Sequence, residues 1–288
     1  MMDVKRLFQQ YLDFVKKYIP EPRARSSVGI DIGLSSCKMV EVRPKGSTFE
    51  LAQFGIEPIV NGNPLPAVQA LLAKTADVQK APATAVHGKG TLIRYIDLPR
   101  MSPEELKKSF VYEADKHLPF TADQIYLDCM ILDPKGKGSK MTVLAAAAKR
   151  EIIDERMELL KNAGVQPDFV TLNSIAMGNV INTLGTTQAG EESKNKEGAF
   201  AIIDIGAKVT NVNIMHGGLP RFTRDIFIGG MDLTRQIANG LEISLEEAEK
   251  MKCDPGARQQ EVVSACEPVV MNLISDMRLS FDYFVTEH

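Results

Sequence analysis

Cysteine is scarce and scattered: the 288-residue chain has four, at 37, 129, 253 and 266, and no C-x-x-C pair. That pattern argues against a disulfide framework and a thiolate zinc site, and it fits a reducing compartment. Long apolar runs are missing as well. No stretch approaches the ~20 residues of a membrane-spanning helix. The start, MMDVKRLFQQYLDFVKKY, lacks the unbroken apolar block of a secretory signal. Neither sign of charge dominates, because 34 Lys and Arg against 37 Asp and Glu leave a net charge of -3. No global field therefore draws the chain to nucleic acid or to an anionic membrane. The Walker pattern G-x-x-x-x-G-K-[ST] and the dinucleotide pattern G-x-G-x-x-G are both absent, which removes two large nucleotide-binding classes. The remaining expectation is a cytoplasmic chain of ordinary composition, 44% hydrophobic and 25% charged, long enough for two lobes.

Residues 3–19 read as an amphipathic helix. Val4, Leu7, Phe8, Tyr11, Leu12, Val15, Tyr18 and Ile19 share one face, Lys5, Arg6, Lys16 and Lys17 lie off it, and Pro20 and Pro22 end it. The stripe fits packing on its own domain, a membrane surface or a partner protein, and the sequence leaves these three open. From Ser27 to Pro58 the pattern is that of strands, with turns at Gly33 and Lys45-Gly46, and a helix follows from Leu65 to Ala76. SPEELKKSF opens a helix with Ser102 as cap, Pro103 in the first turn and Glu105 closing a capping box. QIYLDCMILD and KMTVLAAAAKR read as strands, then helices are expected over 151–163 and from Asn173. The polar stretch 185–198 reads as a loop, followed by strands 199–205, 209–215 and 221–226 and helices near 230–240, 244–251 and 258–287. His87, His117, His216 and His288 have no partner at ligand spacing.

Two stretches repeat one design: VGIDIGLSSCK, 28–38, and AIIDIGAKVT, 201–210. In each, a strand ends in Asp-Ile-Gly and runs into small residues and hydroxyls. Glycine lets backbone N–H groups approach an anion, hydroxyls such as Ser35, Ser36 and Thr210 donate to phosphate oxygens, and Lys38 can neutralise charge. Asp31 and Asp204, at the strand ends, suit Mg²⁺, which keeps waters and takes one or two carboxylates. Either loop alone reads equally well as a hairpin turn with a capping aspartate. Their recurrence at equivalent positions favours a clamp around a metal–phosphate group.

These two motifs resemble the phosphate motifs of the actin-like ATPase superfamily. Within it, IDLPRMSPEELKKSFVYEADKHLPF (96–120), the stretch from Val143 to Val180 and LPRFTRDIFIGGMDLTRQIANGLEISLEEAEKMK (219–252) resemble the type IV pilus assembly PilM family, relatives of the division protein FtsA. The resemblance implies an α/β, two-lobed actin-like (ribonuclease H-like) fold with an α+β subdomain inserted in the first lobe. It divides the chain into an N-terminal helix and linker (1–26), first lobe (27–82), insert (83–166), return and linker (167–198) and second lobe (199–288).

It also implies ATP and Mg²⁺ as cofactors, with Asp31 and Asp204 on the metal. Gly33, Ser35, Ser36, Lys38, Gly206, Ala207, Lys208 and Thr210 would surround the phosphates, Gly229 and Gly230 would approach the nucleotide, and Glu249 and Lys252 the ribose or base. Hydrolysing relatives carry an acid or amide that orients water at the start of the connecting helix. Here the stretch is VTLNSIA, with Thr171 and Asn173 and no carboxylate, so slow or absent hydrolysis is expected and no catalytic residue is assigned. The family's last glycine pair, which holds adenosine, is expected beyond His288. The implied role is a cytoplasmic scaffold, peripheral at the inner membrane, of the machine behind twitching motility. It would bind the N-terminal peptide of a PilN-like membrane protein and other pilus assembly proteins, but no nucleic acid. The competing expectations are an FtsA-like filament-forming protein and a small-molecule kinase of the same superfamily.

Overall fold

The structure is a computed structural model that describes residues 26–46, 48–75, 82–188 and 198–287. The amphipathic helix expected over 3–19 lies outside the described residues.

The chain begins with a meander in which β1 (Ser27–Ile32), β2 (Ser36–Lys45) and β3 (Thr48–Pro58) pair antiparallel. Helix α1 (Leu65–Leu72) crosses back so that β4 (Pro82–Val86) lies parallel to β1 on the edge away from β2. An excursion follows: β5 (Thr91–Pro99), α2 (Pro103–His117), β6 (Ile125–Ile131) and β7 (Lys140–Lys149) build a separate antiparallel sheet of order β5-β7-β6. Helix α3 (Arg150–Asn162) returns, and β8 (Phe169–Leu172) adds parallel to β4. The first sheet thus has the order β3-β2-β1-β4-β8. Helix α4 (Asn173–Gln188) leads to a second meander of β9 (Ala199–Ile205), β10 (Thr210–His216) and β11 (Leu219–Ile226). Helices α5 (Gly230–Leu241), α6 (Leu245–Cys253) and α7 (Gln259–Glu287) follow: α7 packs on β11, α5 packs on α7, and α6 packs on α5.

Strand alternation explains the packing. Val28, Ile30 and Ile32 of β1 and Cys37 and Met39 of β2 are buried on one face, against Val68 and Leu71 of α1 and Leu160 of α3. Each fully buried aliphatic side chain contributes roughly 2 kcal/mol from lost contact with water. The alanine run of β7 is covered on both faces. Ala145 and Ala147 face α2, while Ala146 and Ala148 face Val86 and Leu172. Small residues let a strand be sandwiched this way. The capping box forms as its sequence dictates: Ser102 Oγ accepts from Glu105 N–H at 3.2 Å, and Ser102 N–H donates to Glu105 Oε2 at 2.8 Å. One expectation fails in part. Helix α4 runs to Gln188, into the stretch expected to be loop, because hydrogen bonding rather than hydropathy sets where a helix stops and no proline interrupts it.

Candidate functional site

The two meanders start with hairpins of the same build. Gly33 N–H donates to Ser36 O at 3.1 Å, and Gly206 N–H donates to Val209 O at 3.0 Å. Asp31 stands opposite Lys38 in the first hairpin, and Asp204 opposite Asn211 in the second. A Cβ on Gly33 would meet Ser36 O at 3.0 Å, and one on Gly206 would meet Val209 O at 2.8 Å. Close backbone approach therefore leaves no room for a Cβ at Gly206 and admits one at Gly33 only if the turn shifts.

The turns face one another across a cleft of about 250 Å³. Its walls include Asp31, Gly33, Ser35, Ser36 and Lys38 from the first lobe and Asp204, Gly206, Ala207 and Lys208 from the second. Lys38 Nζ pairs with Asp31 Oδ2 at 3.1 Å, with both side chains about half exposed. Asn173, at the start of α4, donates through Nδ2 to Asp204 Oδ2 at 3.1 Å. Asn173, the residue at the head of the connecting helix, lines the cleft as well, together with His87, Asn211 and Asp225, which the sequence did not single out for it. Asn211 was within reach of the sequence, since it stands as far after Asp204 as Lys38 does after Asp31. His87 and Asp225 come from β-strand ends that only the assembled fold brings near.

Thr210 departs from expectation. It is fully buried, and its hydroxyl donates to Ile228 O at 2.7 Å instead of lining the cleft. In the hairpin register it is the counterpart of Cys37, so strand alternation turns it inward and leaves Asn211 toward the cleft. Gly229 and Gly230 lie against the second turn. Gly230 N–H donates to Gly206 O at 2.9 Å and Met231 N–H to Ala207 O at 2.8 Å, so the N-terminus of α5 holds that turn from behind. Glu249 and Lys252 stand away from the cleft walls. Lys252 Nζ donates to Glu249 Oε2 at 2.7 Å, to Thr234 Oγ1 at 2.9 Å and to Gly230 O at 3.2 Å. Burial pushes the Glu249 carboxyl up, but hydrogen bonds from Lys252 and Thr234 outweigh it and leave it below its ordinary value.

A second concavity of about 410 Å³ lies between the excursion, the first lobe and the β10–β11 turn. Cys129 and Met130 of edge strand β6, Leu144 of β7, Val170 of β8, Ile175 of α4 and Pro220 line it. Asn182 Nδ2 donates to Gly218 O at 2.6 Å and holds α4 to the β10–β11 turn.

A duplicated hairpin whose turns oppose each other across a cleft, with an α+β excursion from the first lobe, defines a two-lobed protein of the actin-like, ribonuclease H-like fold. The sequence profile of the family described as type IV pilus assembly protein PilM matches residues 29–288, and the chain belongs to that family. The solved PilM-PilN type IV pilus biogenesis complex is similar, with a TM-score of 0.78 and 25% identity, over 92% of this chain and 79% of that one. Cell division protein FtsA of Bacillus subtilis (strain 168) is 28% identical over 125 residues, which are 42% of this chain and 26% of FtsA. The match thus spans about a quarter of that relative. Among the described residues, no helix is long and apolar enough to cross a membrane.

Proposed function

We propose that the chain is an ATP-binding scaffold of a type IV pilus assembly complex, cytoplasmic and peripheral at the inner membrane, with little or slow hydrolysis. The observation that carries this reading is the pair of equivalent turns that set Asp31 and Asp204 on opposite walls of one cleft. The donor set fits a hydrated Mg²⁺ with its phosphates. Two carboxylates, serine hydroxyls and lysines converge, and Asn211 Oδ1 is buried without a partner, ready to accept from a metal-bound water. When bound, Mg²⁺ would neutralise phosphate charge. Asp31 and Asp204 would orient its waters, Ser35 and Ser36 would donate to phosphate oxygens, and Lys38 and Lys208 would balance the remaining charge. The connecting helix offers Asn173, already engaged with Asp204, where a water-activating carboxylate would have to stand. This favours a bound nucleotide over rapid turnover.

The groove beside β6 suits the N-terminal tail of a PilN-like membrane protein. An edge strand supplies backbone pairing, and Met130, Leu144 and Ile175 supply apolar pockets. The solved complex of a relative pairs PilM with PilN. The chain's contact with other pilus assembly proteins, and with the membrane through the apolar and basic residues of 3–19, belongs to the same reading. To test it, the purified chain is denatured and released nucleotide identified by chromatography, beside the Asp31→Ala, Asp204→Ala double variant. ATP in the wild type and none in the variant is expected. Full nucleotide content in the double variant would sink the site assignment.

A further inference from the structure

Arg156 of α3 lies behind the first turn. Its guanidinium donates through Nη1 to Ala85 O at 2.8 Å and to Thr84 Oγ1 at 3.3 Å, and through Nη2 to Ile32 O at 3.1 Å. Ile32 is the last residue before the turn, and Thr84 and Ala85 belong to β4, the parallel neighbour of β1. Thr84 in turn donates to Ile30 O at 2.8 Å. One side chain thus ties the end of β1, from which the first phosphate turn starts, to the end of its parallel neighbour β4.

Every acceptor it reaches is uncharged. Among the described residues no carboxylate forms an ion pair with Arg156, and Asp31, whose charge it feels, is already paired with Lys38 at 3.1 Å. Burial makes the guanidinium costly to keep charged and draws its pKa down, yet an arginine does not give up its proton. Among the described residues the strand ends therefore rest on a positive charge without an ion-pair partner, which Asp31, shared with Lys38, offsets only in part. Arg156 also lines a cavity of about 640 Å³ that shares Gly33, Leu34, His87 and Lys208 with the phosphate cleft. The other charges on that cavity are Lys89, set over the Phe227 ring, Arg235, paired with Asp232, and Glu155.

We infer that Arg156 is a positioning residue that makes the cleft select polyphosphates over monophosphates, by fixing the first turn and by placing beneath it a cation without an ion-pair partner. The inference rests on the nucleotide reading of the cleft. A buried charge acts over a longer range than an exposed one, because little water screens it. Mg²⁺ bound to ADP or ATP offsets two of the phosphate charges, whereas without Mg²⁺ each further phosphate adds negative charge to the region Arg156 acts on. The gain should therefore rise from AMP to ADP to ATP, whereas a purely structural staple would support all three alike.

The test is calorimetric titration with AMP, ADP and ATP in EDTA, and with ATP in Mg²⁺ as a reference for binding, on the wild type, Arg156→Gln and Arg156→Lys, at two salt concentrations. Arg156→Gln removes the charge and should weaken ATP about tenfold and AMP by no more than about twofold. Arg156→Lys keeps the charge and loses the fork, so it should melt lower but hold the wild-type ATP-to-AMP ratio within about twofold. An equal loss for all three nucleotides in both variants overturns the proposal and leaves only a staple. Wild-type binding with an unchanged ratio in Arg156→Gln overturns this proposal alone, whereas a wild type that binds no nucleotide overturns the reading beneath it as well. Should Arg156→Gln fail to fold, Arg156→Lys decides: a collapsed ratio there refutes the role of charge.

Discussion

Replacing Gly229 with alanine should disable the cleft without touching it. A Cβ at this position would sit 2.6 Å from Gly206 O and 2.7 Å from both Ala207 C and Ala207 O. These atoms are backbone, so no side chain can swing aside. Relieving the contacts to ordinary van der Waals distance requires the start of α5 and the second phosphate turn to part by roughly 1 Å. The hydrogen bonds that join them, 2.9 Å from Gly230 N–H to Gly206 O and 2.8 Å from Met231 N–H to Ala207 O, would then exceed bonding range. Each is worth about 1 kcal/mol net, and residual strain adds to their loss, so the second lobe should be destabilised by about 2–4 kcal/mol. Gly229 has φ -153 and ψ -170, an extended conformation open to any residue, so the effect is one of space and not of backbone freedom. Denaturant unfolding and nucleotide titration would be run beside Gly198→Ala, where an added Cβ meets nothing within 4 Å. Gly229→Ala should lower both stability and nucleotide affinity, and Gly198→Ala should change neither by a measurable amount. Equal behaviour of the two variants would mean that α5 does not brace the turn.

Other perturbations probe the remaining parts. Tyr95 is half-buried, with its hydroxyl enclosed beside Arg221 and Thr223 without a well-aligned hydrogen bond, and burial pushes that hydroxyl up to about 12. The folded state holds that proton when the unfolded state has lost it. Stability should therefore fall as pH rises from about 10 toward 12, by up to roughly 2–3 kcal/mol. Tyr95→Phe should flatten that alkaline slope in denaturant titrations, and a slope identical to the wild type would contradict the assignment. Arg100 donates to Gly138 O at 3.0 Å, Asp133 O at 3.1 Å, Asp133 Oδ2 at 2.7 Å and Lys140 O at 3.0 Å, stapling the β6–β7 turn. Arg100→Ala should cost about 2 kcal/mol and raise hydrogen exchange in β6 and β7 selectively, while uniform exchange across the chain would argue against a local staple. Met130→Glu places a charge in the apolar groove. It should abolish binding of a synthetic N-terminal tail peptide of the PilN-like partner, measured by fluorescence anisotropy, and leave nucleotide content unchanged. Retained peptide binding would move the partner site elsewhere.

What the sequence determined by itself is local and periodic. The alternation of Val28, Ile30 and Ile32 marked β1, Ser102 with Glu105 marked the start of α2, and the repeated Asp-Ile-Gly marked both turns, because strand periodicity, capping and glycine turns depend on neighbouring residues. The resemblance in those motifs supplied the fold and family. What only the tertiary structure decided involves residues far apart in the chain. The inward turn of Thr210 follows from hairpin register, and the cleft positions of His87 and Asp225 follow from how strand ends converge. The packing of Gly229 against Gly206, and the reach of Arg156 to Ile32 and Ala85, depend on helices docking behind the turns. Such contacts leave no period or spacing in the sequence, since their geometry is set by packing between elements that the chain order keeps apart.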